Sequence, residues 1–397
     1  MGDGGEVRPQ EIEARTILRD AGRTDSWFVA RYGMNLYRGC QHGCAYCDGR
    51  AEKYRVEGVF DRDIGVKADA PAILAAELDR LREPGILLIG GGVCDGWQPL
   101  EARLGLARAA LALALERGLP VSILTKSALV ERDLDLLVAI QQKSRAILSF
   151  SIATLDEGVR ERFEPGAAPI AARWRLLEEA KRRGLATGVM AMPLMPGISD
   201  SAGDILALFS RAADAGVDFL LAGGLTLRPG RQADHWFATV ERHRPDLLPA
   251  YRRTYGQAGP SGEAPPALHA RHEERFREAY ARTGLPSRMP RRLFTGLLPQ
   301  QVELAVLLEQ RGHEAELAGR REPWLSRSGW AIQDWSRARL GRRRGTEAWR
   351  AVEAEFRDDL DAGRLEVEGL DPRALPLLSA WAADLQHPRG VRQGRLF

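Results

Sequence analysis

Short apolar runs alternate with longer amphipathic segments along the first half of the chain. Short apolar runs are typical of buried strands, and longer segments with one apolar face are typical of helices. The predicted strands are the second half of residues 27–37, then 86–89, 121–124, 146–152, 187–192 and 217–221. The predicted helices between them are 69–82, 100–117, 131–142, 170–183 and 202–215. This order predicts repeated βα units and a parallel sheet.

Six such units predict an α/β fold, a partial (βα)6 TIM-like barrel. A doubly wound open sheet is the alternative, and the pattern alone does not separate the two. In both folds ligands bind at the carboxyl ends of the strands. We therefore expect the functional residues to follow directly after the predicted strands.

The strand pattern also predicts how the chain is divided. Residues 1–25 are a polar N-terminal segment, with a short helix expected around 11–19. Residues 26–230 contain the predicted core domain. The alternation stops beyond about residue 225, so residues 231–397 are expected to form a mainly helical, Arg-rich extension, with a loop at 256–267.

Composition narrows the class of protein without naming a partner. The 397 residues include 57 basic and 54 acidic ones, and the net charge of +3 favours no particular ligand. Four cysteines, three of them in one loop, do not make a disulfide framework, so reduced thiols and a reducing compartment are expected. No signal peptide and no apolar stretch of membrane-spanning length is apparent, and we expect a cytoplasmic protein without a membrane partner.

Cys40, Cys44 and Cys47 form a C-x3-C-x2-C pattern in one short loop. Three thiolates so close in sequence can bind three irons of a 4Fe–4S cluster and leave the fourth iron open to a small molecule. A structural zinc site is the alternative. It needs four protein ligands, and His42, between the first two cysteines, has little room to reach the same ion.

The cysteine spacing, with the aromatic residue Tyr46 before the last cysteine, resembles the radical SAM superfamily. Residues 95–101, 125–127, 153–156 and 163–166, together with 35–40, extend the resemblance to its spore photoproduct lyase-like group. The resemblance implies a 4Fe–4S cluster and S-adenosyl-L-methionine as cofactors, and a one-electron reductant such as a flavodoxin or ferredoxin. It implies reductive cleavage of S-adenosylmethionine to a 5'-deoxyadenosyl radical that abstracts hydrogen from a substrate.

The same resemblance implies a set of cofactor-binding residues. Tyr46 is expected to pack against the adenine, and Lys126 to pair with the carboxylate of S-adenosylmethionine. Gly91 and Gly92 are expected beside its amino group, because residues without Cβ let the backbone approach a ligand closely. Ser151, nearer the strand exit than Ser149 on the same face, is expected to bond the ligand.

Cys94 is a candidate catalytic thiol. The spore enzyme uses a cysteine near the end of the second strand to return hydrogen to a product radical. When this chain is aligned with the spore enzyme without gaps at Asp95, Gly92 falls at the position of that cysteine and Cys94 lies two residues later. The alternative is a buried, inert cysteine. Because Cys94 is shifted by two residues from the cysteine of the spore enzyme, thymine-dimer repair by this protein is in doubt.

The substrate is open on sequence grounds. A nucleic-acid lesion or modified base is the first expectation from the resemblance, with a peptide or small metabolite as the rival. Arg and Trp are interspersed in the C-terminal region, a composition that suits nucleic acid but also suits solvated helices around a small tryptophan-anchored core. The alternative to an enzyme is a non-catalytic metal-cluster protein that binds nucleic acid.

Overall fold

The computed structural model describes residues 6–90 and 93–386, and the following bounds refer to that part of the chain. The strands are β1 (Arg8–Glu11), β2 (Leu18–Asp20), β3 (Ala30–Met34), β4 (Tyr37–Arg38), β5 (Asp63–Val66), β6 (Ile86–Ile89), β7 (Val121–Thr125), β8 (Ala146–Ser151), β9 (Ala186–Leu194) and β10 (Phe219–Gly224). The helices of the first half are α1 (Ala70–Leu78), α2 (Glu101–Leu104), α3 (Leu106–Glu116), α4 (Leu134–Lys143), α5 (Glu157–Phe163), α6 (Ile170–Arg182) and α7 (Ala202–Asp214). Those of the second half are α8 (Arg231–His243), α9 (Leu248–Tyr255), α10 (Pro266–Thr283), α11 (Gln300–Leu317), α12 (Pro323–Leu340), α13 (Thr346–Asp361) and α14 (Ala374–Gln386).

The main sheet has seven strands in the order β10-β9-β8-β7-β6-β3-β2. The first six are parallel neighbours, and β2 pairs antiparallel with β3 at one edge. All six residues of β8, in the middle of the sheet, are buried, as expected for a strand covered on both faces. Six parallel strands joined by helices confirm the predicted α/β class.

A second, three-stranded sheet positions the cysteine loop. β5 pairs parallel with β1 and antiparallel with the two-residue strand β4. The loop with the three cysteines begins directly after β4, so this small sheet fixes where the loop leaves the protein core.

Most predicted elements agree with the observed ones to within a few residues. The helix predicted over 100–117 is two helices, because Gly105 adopts a left-handed conformation (φ +68°) between α2 and α3. The short helix expected around residues 11–19 is wrong. Residue 11 ends β1, residues 12–17 form an irregular connection, and residues 18–19 begin β2. Pairing of the two strands with β5 and β3 determines the structure of this polar sequence.

The region after residue 230 is helical, as predicted. Four of its helices, α11 to α14, enclose their own apolar cluster, which includes Leu304, Ile332, Phe356 and Leu378. By contrast, α8 and α9 pack beside the cysteine loop through Trp236 and Tyr251. None of the described helices combines the length and the apolar character needed to span a bilayer.

Candidate active site

A cavity of about 310 Å³ lies at the carboxyl ends of the parallel strands. The three loop cysteines line it on one side. Residues that end or follow the strands line it elsewhere, among them Asp95, Thr125, Lys126, Ser151, Met192 and Thr226. The parallel sheet therefore brings together side chains that are far apart in sequence, at the edge where such folds bind ligands.

Two glycines shape the cysteine loop. Gly39 (φ +83°) precedes the first cysteine, and a Cβ there would lie 2.8 Å from the carbonyl oxygen of Phe60. Gly43 (φ +63°) turns the chain between the first two cysteines, and its N–H donates to the carbonyl of Cys40 (3.2 Å). The loop thus depends on conformations that residues with a side chain rarely adopt.

Arg50 holds the loop from within. Its guanidinium donates to the carbonyl oxygens of Gly43 (2.9 Å) and Cys44 (3.0 Å) and lies 4.6 Å from the ring centre of Phe60. These carbonyls are in a buried turn, where an unpaired polar group is costly. Arg50 therefore stabilises the backbone that carries the cysteines.

A second turn, residues 163–168, runs along the cysteine loop. The N–H of Ala45 donates to the carbonyl of Phe163 (2.8 Å), and the N–H of Gly166 donates to the carbonyl of His42 (2.9 Å). A Cβ on Gly166 would lie 2.2 Å from the carbonyl oxygen of Gln41. The two backbones are thus in direct contact, which only glycine allows at this position.

Tyr46, Glu164 and Arg173 form a buried polar network beside the cavity. The Tyr46 hydroxyl donates to one oxygen of Glu164, and Arg173 pairs with the other at 2.6 Å. Arg173 also donates to the carbonyl oxygens of Ser151 (2.9 Å) and Ala168 (2.9 Å). Burial raises the pKa of the Glu164 carboxyl, but Arg173, Lys126 and the Tyr46 hydroxyl outweigh it, so the net pKa lies below its usual value.

Lys126 and Ser151 meet at the cavity wall. The Lys126 ammonium donates to the Ser151 hydroxyl (2.7 Å), which donates to the carbonyl of Met192 (3.1 Å). The same ammonium lies 5.6 Å from the ring centre of Tyr46. Three of the residues implied as cofactor-binding are therefore neighbours, although they are up to 105 positions apart in sequence.

Asp95 fixes the carboxyl end of β7 and the residue that follows it. Its carboxylate accepts hydrogen bonds from the Thr125 hydroxyl (2.8 and 2.9 Å) and from the N–H of Lys126 (2.8 Å). It also lies 3.4 Å from Nδ1 of His42, whose pKa is lowered because the ring is buried. Asp95 thus connects the cysteine loop to the strand end that carries Lys126.

Cys94 lines the same cavity. Its sulfur lies 3.7 Å from Oδ1 of Asn35, and its side chain is buried. Burial raises the pKa of the Cys94 thiol to about 12, so the sulfur keeps its proton at neutral pH. A protonated thiol facing a cavity is the form that can donate a hydrogen atom.

The loop cysteines fit the expected cluster in their chemistry. All three are free thiols, and all three line one cavity. Thiolates are the usual ligands of iron–sulfur clusters. In residues 6–90 and 93–386, no three His, Cys, Asp or Glu side chains gather closely enough to hold a single metal ion.

The remaining predicted positions differ in outcome. Gly91 and Gly92 lie outside the described residues. Ser149, on the same strand as Ser151, is buried with no hydrogen-bond partner for its hydroxyl and does not line the cavity. Outside the predicted set, Met190 and Met192 of β9 form an apolar part of the cavity wall.

Two residues near the site were missed by sequence reasoning. Arg173 lies in the first turn of α6, a helix with several other arginines, and no local pattern distinguishes it. Gln232 of α8 donates to the carbonyl oxygens of Tyr46 (2.9 Å) and Thr226 (3.0 Å). Only the contact between distant elements reveals either residue, although the motif at 163–166 did point to Glu164.

Known proteins match the part of the chain that contains this cavity. A family model for the radical SAM superfamily matches residues 34–209. An uncharacterized protein of Mycobacterium tuberculosis is 31% identical over 256 residues, which cover 63% of this chain and 73% of that protein. An uncharacterized protein of Acidianus two-tailed virus is 32% identical over 206 residues, covering 49% and 65%.

Solved structures show the same fold. A doubly substituted spore photoproduct lyase with bound AdoMet and dinucleoside spore photoproduct aligns with a TM-score of 0.52 at 17% identity, over 69% of this chain and 79% of that one. Spore photoproduct lyase complexed with the dinucleoside alone aligns with a TM-score of 0.50 at 18% identity, over the same shares. The parallel sheet is thus the partial TIM barrel predicted from the sequence. The chain belongs to the radical SAM superfamily, whose members are enzymes that use a 4Fe–4S cluster and S-adenosylmethionine.

Proposed function

We propose that this protein is a radical SAM enzyme that abstracts hydrogen from a nucleic-acid substrate carrying a lesion or a modified base. The observation that carries the proposal is the convergence of three free thiols and the Lys126–Ser151 pair on one cavity. Cys40, Cys44 and Cys47 would hold the cluster. When bound, the reduced cluster and S-adenosylmethionine supply a 5'-deoxyadenosyl radical.

The chain's own residues would orient the cofactor. Lys126 presents a positive charge at the cavity wall, suited to the carboxylate of S-adenosylmethionine, and Ser151 holds that ammonium in place at 2.7 Å. The Tyr46 ring, fixed through its hydroxyl by Glu164, would form an apolar face for the adenine. Gly91 and Gly92 remain proposed for the amino group.

Cys94 would give the hydrogen atom of its S–H to the product radical, and the thiyl radical left on its sulfur would regain the thiol by taking one electron from the reductant and one proton. It faces the cavity as a neutral thiol, and its contact with Asn35 Oδ1 orients the S–H. Replacement by Ala should leave formation of 5'-deoxyadenosine intact while it changes the product released from the substrate. Unchanged product would assign Cys94 a structural role.

The experiment that tests the function is anaerobic reconstitution with iron and sulfide, followed by incubation with S-adenosylmethionine and dithionite. We expect a coloured protein with about four irons per chain that forms 5'-deoxyadenosine. Replacing the three loop cysteines by Ala should abolish both. A colourless protein that binds zinc and makes no 5'-deoxyadenosine would contradict the proposal.

The substrate class has its own test. Ultraviolet-irradiated DNA, intact DNA, a mixed peptide library and buffer are each added to the reconstituted enzyme, and 5'-deoxyadenosine is quantified. Stimulation by irradiated DNA supports a lesion substrate. Stimulation by peptides alone would place the protein with enzymes that modify peptides.

A further inference from the structure

An N-terminal strap, residues 22–28, crosses the C-terminal helices before β3 begins. Gln333 of α12 exchanges two hydrogen bonds with the backbone of Thr24 (2.7 and 3.0 Å), and Gln310 of α11 donates to the carbonyl of Ser26 (3.3 Å). These are side chain to backbone contacts across about 300 positions, and they hold the strap at a defined place on both helices.

The strap ends in a strained turn. The Asp25 carboxylate accepts hydrogen bonds from the N–H groups of Trp27 (2.8 Å), Phe28 (2.6 Å) and Ala30 (3.2 Å). Val29, which is fully buried, has φ +51°, an unfavourable conformation for a β-branched residue. Such strain persists only where the surroundings impose it and is common near functional sites.

The turn places two adjacent aromatic residues differently: one lines the cavity, and the other is partly exposed. Phe28 lines the cavity that holds the cysteines, whereas its neighbour Trp27 is 37% exposed. The guanidinium of Arg288 lies 4.1 Å from the Trp27 ring centre and covers one face of the indole. Trp27 is therefore a supported, flat and partly exposed ring beside the cavity.

A second exposed indole lies farther along the strap. Trp330 of α12 is 43% exposed, and the Arg23 guanidinium lies 5.7 Å from its ring centre. Arg23 also pairs with Asp334, one turn along the same helix (2.9 Å). The two exposed tryptophans are thus attached to the same seven-residue segment, at its two ends.

An arginine-rich segment continues this surface. Residues 335–345 contain five arginines and no acidic residue. Arg337 packs against Gly22 at the start of the strap. In the described part of the chain, Arg342 and Arg344 are exposed and have no hydrogen-bond or ion-pair partner.

We propose that these residues form a binding surface for single-stranded or locally unpaired nucleic acid. A base would stack on Trp27 beside the cavity, and the phosphates would lie along the arginines toward the end of α12. The Trp/Arg surface comprises Trp27, Trp330, Arg23, Arg337, Arg342 and Arg344. The inference rests on the proposed function and names how its substrate reaches the cavity.

Nucleic acid fits this surface better than a peptide does. Exposed indoles are sequence-tolerant platforms for bases, and unpaired guanidinium groups bind phosphate with fork geometry. The acidic groups that face the surface have partners. Asp334 is paired with Arg23, Glu355 with Arg339 (2.9 Å) and Asp20 with Arg31 (2.7 Å). Glu309 accepts hydrogen bonds from Trp330 (3.2 Å) and Gln333 (3.0 Å). Positive charge therefore remains in excess at the C-terminal end of α12.

The test measures binding rather than turnover. Fluorescence anisotropy of a labelled single-stranded oligonucleotide is recorded with the full chain over a range of salt concentrations. We expect Trp27→Ala to weaken binding about tenfold without changing the salt dependence, since it removes a stacked base. We expect R342A combined with R344A to lower the slope of log affinity against log salt by about 1.4, or ~0.7 for each lost phosphate contact.

Matched controls exist elsewhere in the chain. Trp349 carries a guanidinium at 5.4 Å, from Arg350, and W349A should leave binding unchanged. Arg357 and Arg364 are exposed and lie beside acidic residues, so their double Ala variant should leave the salt slope unchanged. The arginine variants remove only exposed, unpaired side chains, so they remain informative even when W27A fails to fold.

The outcomes separate this inference from the proposed function. Wild-type binding that neither W27A nor R342A/R344A reduces, or no oligonucleotide binding at all, overturns the surface. Binding to a peptide library in place of the oligonucleotide overturns it as well. Because anisotropy does not require the cluster, normal oligonucleotide binding by a protein that never forms 5'-deoxyadenosine would refute the proposed function and leave the surface intact.

Discussion

Glu164 and Arg173 form a 2.6 Å ion pair in which the side chains are 2% and 1% exposed. A buried pair of this kind is costly to break, because the remaining partner is left charged and without compensation. Here the pair also joins three parts of the site, since Glu164 bonds Tyr46 in the cysteine loop and Arg173 bonds the carbonyl of Ser151. The loop and the end of β8 are therefore held in a fixed relation.

Replacing Arg173 by Met should destabilise the protein by about 3–5 kcal/mol, because it leaves the Glu164 carboxylate buried without its cation. Urea unfolding of the apo protein measures this as a lower midpoint. Arg175, on the same helix, pairs with Glu131 at the surface (2.7 Å), and R175M should cost no more than about 1 kcal/mol. Equal midpoints for the two variants would contradict the role assigned to Arg173.

Replacing Gly166 by Ala should lower cluster content. The new Cβ would lie 2.2 Å from the carbonyl oxygen of Gln41, so the cysteine loop must move. Iron and sulfide per chain after reconstitution measure the effect. Gly203→Ala is the control, since its Cβ would meet only the Ser201 hydroxyl, at 3.8 Å, and full iron content in both variants would show that the loop tolerates displacement.

Lys126→Ala should weaken the binding of S-adenosylmethionine by tenfold or more, since a charge-assisted hydrogen bond contributes about 1.5–3 kcal/mol. Ser151→Ala should have a smaller effect, because it removes only the group that orients the ammonium. Isothermal titration of the reconstituted protein measures both. Lys143, whose ammonium bonds the carbonyls of Leu115 and Glu116, supplies the control K143A. An unchanged affinity in K126A would remove the lysine from the cofactor site.

Glu309 should make stability depend on pH. Burial raises its pKa from 4.5 to about 7, so the folded state retains a proton that the unfolded state releases. Its contribution to stability is fully present below about pH 4.5 and is lost as the pH rises through about 7, a difference of the order of 3 kcal/mol. Glu309→Gln should remove most of this slope. Parallel urea midpoints for both proteins between pH 5 and about pH 8 would contradict the assignment.

The sequence predicted the sheet well because short apolar runs have few alternatives to a buried strand. Ile86–Ile89 is a strand at the predicted bounds, and the cysteines, Lys126 and Ser151 line one cavity because parallel strands end at one edge. Local pattern could not reveal that Arg173 bonds Glu164, or that the polar residues near Leu18 form a strand, since both depend on partners distant in sequence. The domain boundary at residue 230 stays a prediction.

The bond between Thr24 and Gln333 spans 309 positions, and it holds the strap whose last residue, Phe28, lines the cavity. A ribosome synthesises Cys40, Cys44 and Cys47 long before it reaches Gln333. A nascent chain therefore carries its thiols while one wall of their pocket is still missing. The strap can take its final place only after α12 has been made, so the wall that Phe28 forms is set late in synthesis.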